Sequence, residues 1–175
     1  MSNAQIVGAL ALACLVFWLV GAYNRLIRLR GEIARQFVPV HEQFVRRNTL
    51  LNQLWLALAP VLVNATPRLD ALRAATQQVD TAVARAQARP SRRDTITGLR
   101  LADAILSEAR AHLPIPSAPG TELTELTSQL QASDATLNFA RSQFNAAVQA
   151  YNRGVKQFPT LLLVGLFGFR VAGTL

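Results

Sequence analysis

The chain has 175 residues, enough for one domain with room for one appended element and too few for a multidomain enzyme. Half of it is apolar and only 16% is charged, which excludes disorder of the whole chain. A single cysteine and two histidines exclude a disulfide framework or a cysteine-histidine zinc cluster, and a formal charge of +8, almost all of it arginine, favours acidic partners or anionic lipid.

The first element is Ile6 to Tyr23, 18 positions without a charged side chain. A helix needs roughly 17 to 25 such residues to cross a bilayer core, so this stretch predicts a transmembrane helix over 6–23 behind a short terminus, 1–5. Trp18 and Tyr23 lie toward its carboxyl end, where amphipathic rings favour the headgroup layer, and Arg25, Arg28, Arg30 and Arg35 follow. The basic excess after the span predicts an outside amino terminus and an inside body. A cleaved signal is the competing reading: Val20-Gly21-Ala22 resembles a peptidase site, but no basic residue precedes the apolar run. Cleavage would leave a secreted bundle beginning near Tyr23. Cys14 fits a lipobox poorly and reads as a buried membrane-helix cysteine.

A bundle over 24–159 is expected next. Tyr23, Leu26, Ile33, Phe37, Val40, Phe44, Leu51, Leu54, Leu58 and Val61 recur in steps of three, four or seven, one stripe of a helix. Arg30 and Arg47 share that register, so the stripe is expected to be interrupted there or the arginine stems to snorkel outward. Pro39 predicts a kink or short break near Val38, and Pro60 a stop. A second helix is predicted from Arg68 to about Arg89 with Leu69, Leu72, Thr76, Val79, Val83 and Ala86 inward. Pro90-Ser91-Arg92-Arg93 punctuates, and Asp94 is the expected cap of a third helix carrying Ile96, Leu99, Ala102, Ile105, Leu106, Ala109 and Leu113. These two form a helical hairpin. Pro114 to Gly120 is an extended connector, after which Thr121 is the expected cap of a long helix. Its stripe runs Leu123, Leu126, Leu130, Ser133, Leu137, Ala140, Phe144, Val148, Tyr151, Val155 and Phe158, and Pro159 ends it. The fold class is therefore all-α: an amino-terminal transmembrane helix followed by an elongated antiparallel bundle of two long and two shorter helices. The apolar tail, 160–175, is too short to span a membrane and has either the bundle or the bilayer surface to rest on.

Three blocks resemble the LemA family of bacterial membrane-anchored helical proteins. They are Tyr23-Asn24-Arg25-Leu26 with Leu29-Arg30 and Ile33; Gln43-Phe44-Val45-Arg46-Arg47 with Leu50-Leu51 and Leu54; and Leu137 to Asn145 with Val148, Tyr151-Asn152, Phe158-Pro159 and Leu166-Phe167-Gly168-Phe169. The third is the most specific. Departures are Asn52 in place of a usual proline, Phe144 in place of a common tyrosine, Pro39, and the connector. The resemblance implies a single membrane helix, an antiparallel bundle and no established enzymatic activity.

Several residues invite a functional reading. Phe144-Asn145 and Tyr151-Asn152 are seven positions apart, nearly the same helical face, so with Asn24 they suggest either an amide ladder that binds a partner strand or helix, or interhelix hydrogen bonds that fix register. Arg46, Arg47 and Arg141 suggest a patch for acidic peptide or lipid, or else a solvated face, or internal salt bridges with Glu42, Asp134 or Glu108. Phe158, Phe167 and Phe169 mark the closing segment. His41 beside Glu42 lacks a second histidine at helical spacing and reads as exposed. Neither a phosphate-cradling glycine loop nor a nucleophile elbow occurs, so neither catalysis nor a cofactor is expected. The function read here is a membrane-tethered scaffold or adaptor at the bacterial plasma membrane, its partners the lipid bilayer and an unidentified protein or a second copy. The alternative is a basic protein that binds nucleic acid or anionic lipid. Nucleic acid is the weaker of these, because aromatic stacking platforms among the arginines are missing.

Overall fold

The computed structural model describes residues 3–60, 66–114, 120–157 and 167–175. Helices α1 (Asn3–Leu58), α2 (Thr66–Ala88), α3 (Arg93–Ala111) and α4 (Thr121–Lys156) follow one another, with no strand among the described residues. The membrane-type segment and the first bundle helix are one element. At 1.5 Å per residue the 56 residues of α1 extend about 84 Å and the 36 of α4 about 54 Å.

The amino-terminal third of α1 is long and apolar enough to cross a membrane, and none of its most apolar window is buried against the rest of the chain. Phe17 is 79% exposed, and Val7, Leu10 and Leu12 are exposed with it. Cys14 is exposed too, on the same unburied apolar segment. Such a surface is costly in water and favourable in hydrocarbon.

Burial begins at Leu26. From there Ile33, Phe37, Val40, Phe44, Leu51 and Leu58 form one inward face, because steps of three, four and seven return to the same side of a helix. Of the kink or short break expected near Val38, the break is absent: α1 continues through Pro39. Proline removes the amide that would have bonded the Arg35 carbonyl, but Pro39 is exposed, so water can satisfy that oxygen. Chain exit follows at Leu58, two residues before Pro60.

Helix α4 packs antiparallel along α1, and the α2–α3 hairpin packs against α1 through α2. Phe37 of α1 meets Phe144 of α4 edge-on, centroids 5.6 Å apart, at the centre of the core. Toward the end of α4, Gly154 lets the two long helices approach closely. A Cβ there would lie 3.1 Å from Leu29 and 3.3 Å from Leu26. The α2 and α3 faces are as the periodicity requires, with Leu69, Leu72, Thr76, Val79, Val83 and Ala86 buried on one, and Ile96, Leu99, Ala102 and Leu106 on the other. Ile105 is exposed, 40%, because it falls on the opposite flank.

Two expected caps are corrected. Arg92 is the cap residue of α3, and Asp94, already in the first turn, turns its carboxylate to the Arg92 guanidinium. Gly120 occupies the cap position of α4, so Thr121 is its first helical residue. Residues 115–119 of the connector lie outside the described residues.

Candidate interaction surface

The two amides of α4 hold the chain's own tail. Asn152 Nδ2 donates to the Ala172 carbonyl at 3.0 Å while its Oδ1 accepts the Ala172 amide at 2.8 Å. Asn145 does the same with Leu175, at 2.8 and 2.9 Å. Each side chain thus reads one residue's main chain as a neighbouring strand would. The spacing is set by geometry. Seven helical residues rise about 10.5 Å, and three residues of extended chain cover about 9 to 10 Å. The tail runs opposite to α4, from Ala172 beside Asn152 to Leu175 beside Asn145.

Its side chains follow the same period of three. Phe169 and Ala172 are buried and Leu175 is half-buried, which is the repeat of an extended polyproline-type chain and differs from the two-residue alternation of a β-strand. Phe169 and Phe167 pack on Tyr23 of α1, centroids 5.8 and 5.1 Å away. Burial pushes the Tyr151 phenol pKa up, against the opposing pull of the Arg30 charge and the Arg170 backbone. Gly173 passes so close to α3 that a Cβ would lie 3.2 Å from the Arg93 Cα and 3.3 Å from its carbonyl oxygen. Backbone cannot yield there as a side-chain end can.

These observations revise the sequence expectations for this group. Asn145 and Asn152 do share a face, but the segment they bind is the chain's own tail and neither bridges two helices. Tyr23, expected at the headgroup layer, also packs its ring on the tail. Asn24 is exposed and stands apart from the pair, and Phe158 lies outside the described residues. Trp18 remains on the exposed apolar segment.

A second constellation fastens α3. Arg141 Nη2 donates to Asp103 Oδ2 at 2.6 Å, and Asp103 Oδ1 accepts from Arg47. Arg47 also lies 3.7 Å from Asp134, whose other oxygen is 2.9 Å from Arg110. Charges alternate through five side chains drawn from α4, α3, α1, α4 and α3. The Phe44 ring lies beneath two of them, 4.9 Å from the Arg47 guanidinium carbon and 5.1 Å from that of Arg141. Arg47 is 4% exposed at its side chain, so it neither snorkels nor belongs to a solvated face. Burial would push the Asp103 carboxyl up, but Arg47 and Arg141 more than reverse this and hold it below the usual carboxylate range. Asp134 was among the expected partners; Asp103 was missed. Its signal was its place beside Ala102 and Leu106 on the inner edge of a helix. Arg46 is exposed, and Glu108 pairs with His112 instead.

Elsewhere Asn48 donates to Asp80 at 2.6 Å, joining α1 to α2. His41 is half-buried, not exposed as expected. Among the described residues no three of His, Cys, Asp and Glu gather to hold a metal ion. The arrangement offers held backbone, paired charge and an unburied apolar rod.

No curated protein matches the chain. The LemA family model matches residues 40–174. That range takes in the paired-arginine segment, Asn145, Asn152 and the tail they hold, and leaves the Tyr23 to Ile33 block before it. With most of its length matched, the chain belongs to the LemA family.

Proposed function

We propose that the protein is a membrane-tethered helical scaffold or adaptor: α1 crosses the bacterial plasma membrane once, its amino terminus outside, and the bundle engages other proteins or further copies of itself in the cytoplasm. The observation that carries this reading is the continuity of α1. Its apolar first part is unburied, and the same helix enters the core at Leu26 without a break. A continuous helix of this kind links the bundle directly to the apolar segment, which suits a scaffold. Arg25, Arg28 and Arg30 follow the apolar run immediately and favour the inside orientation. The reading assigns binding to the bundle and no catalysis.

Protease treatment of intact spheroplasts tests it. The bundle should be protected until the cells are lysed. Digestion before lysis would reverse the orientation, and recovery of the full-length chain in a detergent-free high-speed supernatant would remove the tether. A mature mass beginning near Tyr23 would instead establish the secreted form. Retention of nucleic acid on a filter that falls steeply between low and moderate salt would favour the basic-binder alternative.

A further inference from the structure

The charges of the bundle are sorted along its length. At the end where α1 enters, Arg25 Nη1 donates to Gln157 just past α4, and Arg30 Nε donates to Ser91 in the α2–α3 turn, both at 3.3 Å. Arg25 and Arg30 lie two and seven residues beyond Tyr23, about 3 and 10 Å along the helix axis. The close of α4 and the hairpin turn therefore stand level with the first two turns of α1 after the apolar segment. A headgroup layer is roughly 5 to 8 Å deep and the physiological Debye length is about 8 Å, so long basic side chains at this level reach lipid phosphate.

This end is cationic beyond the arginines of α1. Arg89 and Arg93 flank the hairpin turn, Arg153 and Lys156 close α4, and Arg170 is on the tail; none pairs with a carboxylate among the described residues. Asp94 is engaged by Arg92, and Glu32 by Arg35 and Gln36. At the opposite end Glu108 lies in the last turn of α3, and Glu122 and Glu125 lie in the first turns of α4. A cavity of about 510 Å³ opens between α3, α4 and the tail, lined in part by Arg93, Arg100, Lys156, Thr97 and Thr174. Three cations and two hydroxyls with no acid among its lining residues form a seat of the right chemistry for a phosphodiester.

We infer that this end of the bundle is a second bilayer contact: the α2–α3 turn and the close of α4 rest on anionic lipid headgroups, and the cavity beside Arg93 and Lys156 takes a headgroup phosphate. The inference rests on the tethered reading and deepens it, because the bundle is then held to the leaflet at two places and its orientation is fixed. Charge complementarity selects the occupant, and continuity with the apolar run of α1 places it there.

The test uses the full chain in vesicles of phosphatidylcholine alone or with phosphatidylglycerol added one part to two. A fluorophore on Cys14 is quenched by nitroxide on the lipid acyl chain in both, which reports the tether. In a Cys14→Ser background, a fluorophore at Ala88→Cys, exposed at the end of α2, is quenched by headgroup nitroxide in the anionic vesicles and much less in the neutral ones. Arg93→Gln with Lys156→Gln weakens that contact about fivefold per charge. Equal quenching at Ala88→Cys in both vesicle types, or none in either, overturns the second contact while the Cys14 signal leaves the tether intact. Loss of the Cys14 signal overturns the tethered reading and this inference with it.

Discussion

Asp103→Asn removes the negative charge that Arg47 and Arg141 share while preserving shape and one acceptor. Arg141 can turn outward, being 22% exposed at its side chain; Arg47, at 4%, cannot. A buried charge left without its partner costs about 3 to 5 kcal/mol. Asp134 at 3.7 Å and the Phe44 ring still attract Arg47, which places the loss near the lower limit, about 3 kcal/mol. For a chain of this size that corresponds to a fall in Tm of about 6 to 12 °C. The measurement is the helical circular dichroism signal of the full-length chain in detergent, followed against temperature. Arg47→Met should cost less, because Asp103 keeps Arg141. A fall of less than about 2 °C for Asp103→Asn would refute the assignment of α3 docking to this network. Acid offers an independent check. The folded carboxyl titrates below its unfolded value of about 3.9, so its stabilisation is complete above that pH and is lost as pH falls through the lower, folded value. The gap in Tm between the parent and Asp103→Asn must therefore narrow below about pH 4.

Further outcomes follow from the tail and the long helices. Asn152→Ala removes two hydrogen bonds to Ala172, about 1 kcal/mol each, and should abolish amide protection at Ala172 in hydrogen exchange while leaving protection in α2 unchanged. Gly173→Ala should loosen the same segment by about 1 to 3 kcal/mol, since its new methyl meets Arg93 backbone, and tail protection again reads it. Gly154→Ala should be close to neutral in the melt, because the atoms it meets are the free ends of Leu26 and Leu29, whereas Gly154→Val should lower Tm. Pro39→Ala restores one backbone bond on an exposed face and should raise stability by up to about 3 kcal/mol, read as an increase in Tm.

The helices, their inward faces and the apolar leading segment were legible in the residues alone. Local spacing settles them: apolar side chains three, four and seven apart can share a core only on a helix, and an uncharged run of 18 positions states its length directly. The same spacing put Asn145 and Asn152 on one face. What they grip depended on where the tail returns, and a tail of small and apolar residues carries no periodic signal strong enough to predict that. Pro39 was read as a kink or short break because sequence marks a missing amide but not whether water can reach the orphaned carbonyl. Arg47 was left between a snorkelling stem, a solvated face and an internal salt bridge for a related reason. Its register promised burial and its charge forbade it, and only the meeting of α1, α3 and α4 supplied Asp103, which turned an isolated charge, expensive to bury, into one satisfied from two sides.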